Sequence, residues 1–432
     1  MNRRELLKAG CLAYGSCSIA GARPLGAREP LSVQRGPFFF LGMLYFKQEV
    51  TEHGASFRGA LEDRLGVEAD LPKTLAGGVG AALWSAGIET VATSAIVPVF
   101  EPPREKVYRA VFQPAAAVER VLRSLDGLHQ FIAAAGPRVT LALSADDICK
   151  AYRSGQLALV LHFTGAWING SLAVLRNYYR LGVRGLQVAI TDNGDWIDSS
   201  VEPDGKGLSE FGRDVITEMN RLGMLVDVSH ASDRASAAIL ETTTRPVIAS
   251  HSNARALCNI RRNLTDRLVK KIADSGGVIG IHFASGFVRE GYLKQAIASG
   301  YYTAARKYTF RLLEEFGQPG HPGRDPYVLA RAVRNGVPRL LPPRPRDFEL
   351  PPPATLEELI NHVDYLVDRA GIEHVAIGGD WGGIGLGAVK GIENVSKLLH
   401  LNAALAARGY SAKQIEKIMG TNLLRAFRDA VG

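Results

Sequence analysis

The sequence is poor in cysteine, methionine and tryptophan, with 4, 5 and 4 of these residues among 432. None of the four cysteines stands in a CxxC pair, so the sequence gives no support to a zinc ribbon or a thiol redox centre. It also lacks an apolar run of about 20 residues, the length that a transmembrane helix needs. The formal net charge of +8 is spread along the chain without a basic block. A nucleic-acid partner is therefore not expected.

The composition is that of a folded globular protein. Hydrophobic residues make up 46% of the chain and charged residues 22%, which is enough apolar material for a large core. A chain of this length exceeds a typical domain, but α/β barrels often reach such sizes as one unit. We therefore predict a single domain over residues 30–432.

The N-terminus has the features of an export signal. Arg3 and Arg4 precede a weakly apolar stretch, residues 9–20, and small residues at 20–22 offer a cleavage site. This pattern is typical of a twin-arginine signal peptide over residues 1–22, and it predicts a periplasmic or secreted protein. After cleavage only Cys149 and Cys258 remain, which would allow one disulfide in an oxidising compartment. The alternative is a cytoplasmic N-terminus that happens to carry two arginines.

Short apolar runs bounded by turn residues recur along the chain, and each is followed by a longer stretch of helical period. Runs this continuously hydrophobic are typical of strands buried on both faces. The eight runs are 38–45, 79–84, 157–163, 185–191, 224–228, 247–250, 278–283 and 374–379. They predict the α/β class and, within it, a (β/α)8 TIM-type barrel.

Between the runs, residues 208–222 and 233–241 are predicted as amphipathic helices, and Thr355 with Glu358 forms a capping box that starts another. Two segments interrupt the pattern. Residues 102–137 are a mostly helical excursion, and residues 291–353 form an insertion after the seventh strand. Six prolines in 342–353 predict stiff extended chain there. A separate small domain is the alternative for this insertion.

Polar residues end three of the predicted strands. The fifth strand leads to His230, the sixth to His251 and the eighth to Asp380. Barrel enzymes place reacting groups at these carboxyl ends, so two imidazoles and a carboxylate can converge on one cation and leave a position for water. Each residue also has a purely structural explanation, since a histidine can bond a backbone carbonyl and an aspartate can cap a helix.

From about residue 70 to the C-terminus the sequence resembles the membrane (renal) dipeptidases, a family of zinc-dependent peptidases. Many short matches follow one another in the family's order. The matching segments are 70–72 (Asp-Leu-Pro), 77–81 (Gly-Gly-Val-Gly-Ala), 84–85 (Trp-Ser), 171–176 (Ser-Leu-Ala-Val-Leu-Arg), 196–200 (Trp-Ile-Asp-Ser-Ser), 207–213, 219–230, 250–255 and 262–263.

The resemblance implies a metal-dependent-hydrolase barrel that binds two zinc ions bridged by a glutamate. It implies that His230 and His251 bind one zinc, that Asp380 transfers a proton to the leaving amine, and that Arg262 binds the substrate carboxylate. It also implies a homodimer and a small peptide-like substrate.

Four other positions depart from the family pattern. Met43 and Tyr45 replace the His-x-Asp pair of the other zinc, Phe163 or Thr164 stands where the bridging glutamate belongs, and Ile190 replaces a catalytic histidine. A dinuclear site is therefore excluded, and one zinc ion is expected in place of two. His162 and Asp192 are candidate local substitutes for a lost ligand, although a packed core histidine and a turn-forming aspartate are the better explanations of the two residues.

Two functions remain open. The first is a metallohydrolase that cleaves dipeptides or related small amides at a single-metal site, with Asp380 or His162 as an additional ligand. The second is a catalytically inactive barrel that binds a small carboxylate ligand or a partner protein, because the lost ligands leave a more apolar pocket.

Overall fold

The computed structural model describes residues 37–46, 49–51, 54–56, 58–63, 67–86, 114–165, 167–190, 194–200, 205–300, 351–384 and 387–432. The predicted signal peptide, Asp192 and residues 301–350 of the insertion lie outside these ranges. The strands are β1 Phe39–Leu44, β2 Glu49–Thr51, β3 Gly54–Ser56, β4 Val79–Ala86, β5 Val139–Leu141, β6 Leu157–Thr164, β7 Val183–Gln187, β8 Leu225–Asp227, β9 Val247–Ala249, β10 Val278–His282 and β11 Val375–Trp381.

Eight parallel strands close into a barrel. Their order around the ring is β1, β4, β6, β7, β8, β9, β10 and β11, and β11 pairs with β1 through Met43 and Gly379. All eight predicted strands are confirmed, and the (β/α)8 architecture with them. The sequence reading missed β5, which pairs with β6 outside the ring, and the small β2–β3 hairpin.

Helices follow the strands around the outside of the barrel. They are α1 Leu71–Ala76, α2 Pro114–Ala135, α3 Ala145–Arg153, α4 Leu172–Arg180, α5 Glu210–Leu222, α6 Asp233–Thr242, α7 Asp266–Asp274, α8 Ser285–Val288, α9 Tyr292–Ala298, α10 Leu356–Ala370, α11 Leu398–Ala407, α12 Ala412–Glu416 and α13 Asn422–Val431. None of them is long and apolar enough to cross a membrane, within the described part of the chain.

Helix boundaries follow from capping. The helix predicted over 208–222 begins only at Glu210, because the Ser209 side chain accepts a hydrogen bond from the Gly212 amide and so acts as its N-cap. The capping box of Thr355 and Glu358 is confirmed at the start of α10. The predicted excursion over 102–137 contains the long helix α2.

The core has two layers that follow the strand alternation. Leu159 and Leu161 point outward and pack in the large cluster under the helices, whereas Val160 belongs to a second cluster with Phe40 and Leu225. Phe427 of α13 joins this second cluster, so the last helix closes the amino-terminal end of the barrel. The opposite, carboxyl end carries the buried polar side chains of Asp227, His251 and Asp380.

Cys149 and Cys258 are both buried and their thiols are free. The disulfide that the sequence allows is therefore not formed in this structure.

Candidate active site

His230 and His251 meet at the carboxyl end of the barrel. Their Nε2 atoms lie 3.1 Å apart, and their ring centroids 5.1 Å apart. Burial, then the positive charge of Arg262, lowers the pKa of both imidazoles well below the ordinary value. Both rings are therefore neutral at pH 7, and neutral imidazoles have the lone pair that a metal requires.

A buried chain of hydrogen bonds sets the tautomer of His251. The Ser250 hydroxyl donates to Oδ2 of Asp227, and its oxygen lies 2.6 Å from Nδ1 of His251. Because a hydroxyl has a single hydrogen, it accepts from Nδ1, which carries the proton. The Nε2 lone pair of His251 then faces His230. Such a partner behind a ligand histidine is the usual support of a metal site.

Asp227 anchors these hydrogen bonds from inside the barrel. Its Oδ1 accepts hydrogen bonds of 2.9 Å from the amides of Ser229 and Ser250. Burial would raise the pKa of Asp227, but the neighbouring His162 and the hydrogen bonds from Ser250 outweigh it, and the pKa is lowered. Asp227 is therefore a carboxylate at pH 7. His162 lies against it, with Nε2 3.2 Å from Oδ2.

Asp380 lies close to His251, at the end of β11. It is 6% exposed, and its carboxylate lies within 4.8 Å of the ligand atoms of His251 and His282. Nε2 of His282 is 3.1 Å from Oδ2 of Asp380. Burial lowers the pKa of His282, although the hydrogen bond to Asp380 opposes this effect.

Arg262 is buried at the same end of the barrel, next to His251. It is 3% exposed, and it donates from Nη1 to Ser252 Oγ at 2.9 Å and from Nη2 to the His251 carbonyl at 2.7 Å. Its Nε finds no hydrogen-bond acceptor among the described residues. Burial lowers the pKa of Arg262 to about 10, so the guanidinium remains charged at pH 7. A buried guanidinium with an unused N–H donor is suited to bind a carboxylate ligand.

Hydroxyl groups occupy the positions where the resemblance would place ligands of another zinc. The Tyr45 hydroxyl lies 3.1 Å from Thr164 Oγ1, which also contacts Ser85 Oγ. Thr164 shares a strand face with Val160 and His162, while Phe163 points outward and stacks on Tyr178 at 5.5 Å. The position facing the site is therefore Thr164. Burial raises the pKa of Tyr45, so its hydroxyl is a neutral group and a poor ligand.

The donor set fits one metal ion. Two imidazole nitrogens on a tetrahedral zinc lie roughly 3.3 Å apart, close to the separation of the two Nε2 atoms. Nε2 of His251 carries a usable lone pair, and the carboxylate of Asp380 lies within 4.8 Å of a ring nitrogen of this histidine. Zinc bound there would be expected to leave a coordination position open.

The structure brings together all four residues singled out in the sequence: His230, His251, Asp380 and Arg262. It places His162 against Asp227, outside the cluster of His251, His282 and Asp380. The backbone carbonyl of Ile190 accepts a 2.6 Å hydrogen bond from the hydroxyl of Ser199.

Sequence reasoning missed two residues of this site. His282 is the last residue of β10, and the same strand-end rule that found His230 could have found it. Glu68 precedes α1, and its Oε2 accepts a 2.7 Å hydrogen bond from the Gly382 amide in the loop after Asp380. Burial raises the pKa of Glu68 to about 7. No local pattern marks Glu68, because it reaches the site only through the fold.

A closed parallel barrel with imidazoles and a carboxylate at the ends of its strands defines the class of metal-dependent barrel hydrolases. The profile of the membrane dipeptidase family, peptidase family M19, matches residues 43–431. The chain belongs to this family and is a dipeptidase-like metallohydrolase.

Individual proteins are similar to this chain over most of its length. Dipeptidase tcpJ from Claviceps purpurea is 29% identical over 363 residues, which cover 83% of this chain and 68% of that protein. A protein from the pqqA 5' region of Klebsiella pneumoniae is 31% identical over 326 residues, covering 73% of this chain and 98% of that protein. The crystal structure of the probable dipeptidase PvdM from Pseudomonas aeruginosa has a TM-score of 0.68 and 25% identity, covering 91% of this chain and 95% of that one.

Proposed function

We propose that this protein hydrolyses dipeptides or related small amides at a single zinc ion bound by His230 and His251. The observation that carries the proposal is the facing pair of neutral Nε2 atoms, 3.1 Å apart and buried at the carboxyl end of the barrel. The tautomer that Ser250 and Asp227 impose on His251 supports it, since it directs a lone pair towards His230.

The other side chains divide the remaining tasks. Zinc bound at this pair would polarise the amide carbonyl and make a water molecule more acidic. Asp380 accepts the proton from the attacking water and delivers it to the leaving amine, a role that needs a carboxylate within reach of the reacting atoms. Arg262 binds the substrate carboxylate through its unused donor and its charge.

We expect a single ion because of the residues that stand where the family resemblance places the ligands of another zinc. Tyr45, Ser85 and Thr164 present hydroxyls there, and Met43 is fully buried in β1. Neutral hydroxyls and a thioether do not compensate the charge of a second divalent cation.

The first experiment measures zinc per chain and dipeptide hydrolysis in the purified protein after chelation and re-equilibration with zinc. We expect one equivalent of zinc and zinc-dependent turnover. His251→Ala should lose both, because it removes a ligand. Asp380→Ala should keep the zinc and lower kcat at least ~100-fold, the usual loss for a general acid–base group.

His400→Ala is the control, since His400 is an exposed histidine far from the pair in sequence and should change neither quantity. Two equivalents of zinc in the wild type would contradict the single-ion site. Loss of zinc in Asp380→Ala would make Asp380 a ligand and refute its role as proton shuttle.

A non-catalytic barrel is the second candidate. The buried Met43 and the hydroxyl cluster favour it, because they replace charged groups by groups that bind an organic ligand better than an ion. A protein without bound zinc and without turnover, which still binds an N-acetylated amino acid through Arg262, would support this function.

We also propose export by the twin-arginine route, a periplasmic or secreted location and a homodimer. Arg3, Arg4 and the small residues at 20–22 support export. The dimer rests on the family resemblance.

A further inference from the structure

His282 is a buried histidine whose backbone is held from both sides. Its amide donates to Oδ1 of Asn253 at 2.9 Å, and its carbonyl accepts from Nδ2 of the same residue at 3.0 Å. Its ring packs edge-on against Phe287, with centroids 4.6 Å apart. The ring therefore has little freedom to turn away from Asp380.

The hydrogen bonds of the ring fix its tautomer. The Ala284 amide donates to Nδ1 at 2.9 Å, so Nδ1 carries the lone pair. In a neutral imidazole the proton is then on Nε2, which lies 3.1 Å from Oδ2 of Asp380 and donates to it. A nitrogen that carries a proton has no lone pair for a metal. The cluster of His251, His282 and Asp380 is consequently not a set of three ligands, although its atoms lie close enough to look like one.

We infer that His282 is a positioning residue that holds the Asp380 carboxylate through its Nε2–H group. Asp380 needs such support, because its backbone adopts a φ of 73°, which L-residues other than glycine rarely take. The inference rests on the proposed function, in which Asp380 transfers the proton. His282 acts through Asp380 and contacts neither the metal nor the substrate.

The experiment compares His282→Ala and His282→Gln with the wild type in zinc per chain, kcat and KM. Both variants should keep the full zinc content. His282→Ala should lower kcat about 10–100-fold, as expected for loss of an outer-shell partner, and leave KM nearly unchanged. The glutamine amide can donate from nearly the position of Nε2, so His282→Gln should recover most of the lost kcat.

His362 provides a matched control. It is also buried and also bridges two groups, accepting from the Ala254 amide at Nδ1 (3.2 Å) and facing the Val288 carbonyl with Nε2 (2.9 Å). His362→Ala should destabilise the protein to a similar degree without the selective loss of kcat.

Three results would overturn the inference: loss of zinc in His282→Ala while His362→Ala retains it, wild-type kcat in His282→Ala, or equal losses of kcat in both alanine variants. The first would make His282 a ligand and leave the proposed hydrolase intact. A wild-type protein that binds no zinc and cleaves no dipeptide would instead refute the proposed function, and the positioning role with it.

Discussion

His230 and Asp380 both have left-handed backbone conformations, with φ of 70° and 73°. Such conformations cost about 1–3 kcal/mol in a residue other than glycine and persist only where the surroundings impose them. At His230 the loop after β7 contributes, since the Ser200 amide donates to the His230 carbonyl at 2.6 Å. Positive φ at two residues of one candidate site is the kind of strain that clusters at functional sites.

Arg262 gives a prediction at the scale of one residue. Arg262→Lys removes the planar fork that donates to Ser252 and the His251 carbonyl and that, in the proposed function, also binds the substrate carboxylate. We expect KM for a dipeptide to rise roughly 10–100-fold, as for loss of a charged hydrogen bond, with a smaller effect on kcat. Steady-state kinetics measure both values.

Arg261→Lys is the control for this change, because Arg261 is the exposed neighbour. A dipeptide with an amidated C-terminus should be a poor substrate for the wild type and should lose little more in Arg262→Lys. If both substrates lose equally in Arg262→Lys, Arg262 does not bind the carboxylate.

Among the structural elements, the segment that follows β9 positions His251 in the site. Ser250 and His251 run inward across the end of the barrel, close to the backbones of β1 and β10. A Cβ added at Gly42 or Gly280 would collide with the Ser250 carbonyl. Glycine at these positions lets the backbone of Ser250 approach, and so lets the His251 side chain reach His230.

Gly280→Ala tests this close approach. The added methyl group must displace Ser250, at a cost of about 1–3 kcal/mol in the free energy of unfolding, as for other overpacked core positions. His251 should move with it, so zinc content should fall. Denaturant unfolding and elemental analysis measure the two effects.

Gly286→Ala is the matched control. There a Cβ would lie 3.7 Å from the Tyr292 ring, which is ordinary contact. We expect wild-type stability and zinc content in this variant. Wild-type behaviour of Gly280→Ala as well would show that the approach of Ser250 is not tight.

The whole molecule combines a closed barrel, plugged by α13 at one end and polar at the other, with a predicted export signal. Replacing Arg3 and Arg4 by lysine should leave an unprocessed protein in the cytoplasm, because the twin-arginine route depends on the arginine pair. Fractionation and N-terminal sequencing check this, and the wild type should begin just after residue 22. Equal processing of the wild type and the lysine variant would refute twin-arginine export.

The mature protein should have the mass of two chains in light scattering.

The sequence alone determined the barrel and four residues of its site. Continuous apolar runs are governed by burial on both faces, a local property that can be read from each segment, and all eight became strands. His230, His251 and Asp380 follow such runs directly, so the strand-end rule of barrels was enough to place them together. Arg262 came only through the family resemblance.

Only the tertiary structure decided how these groups are supported. Asp227 is the last residue of β8, and Ser250 and His251 directly follow β9, so their shared hydrogen bonds depend on the register of these two strands. The tautomer of His282 depends on one amide, that of Ala284, and Glu68 reaches the Gly382 loop across 314 residues of sequence. Hydrogen bonds of this kind are made or lost by differences of a few tenths of an ångström in the distance between donor and acceptor, and sequence periodicity does not encode such differences.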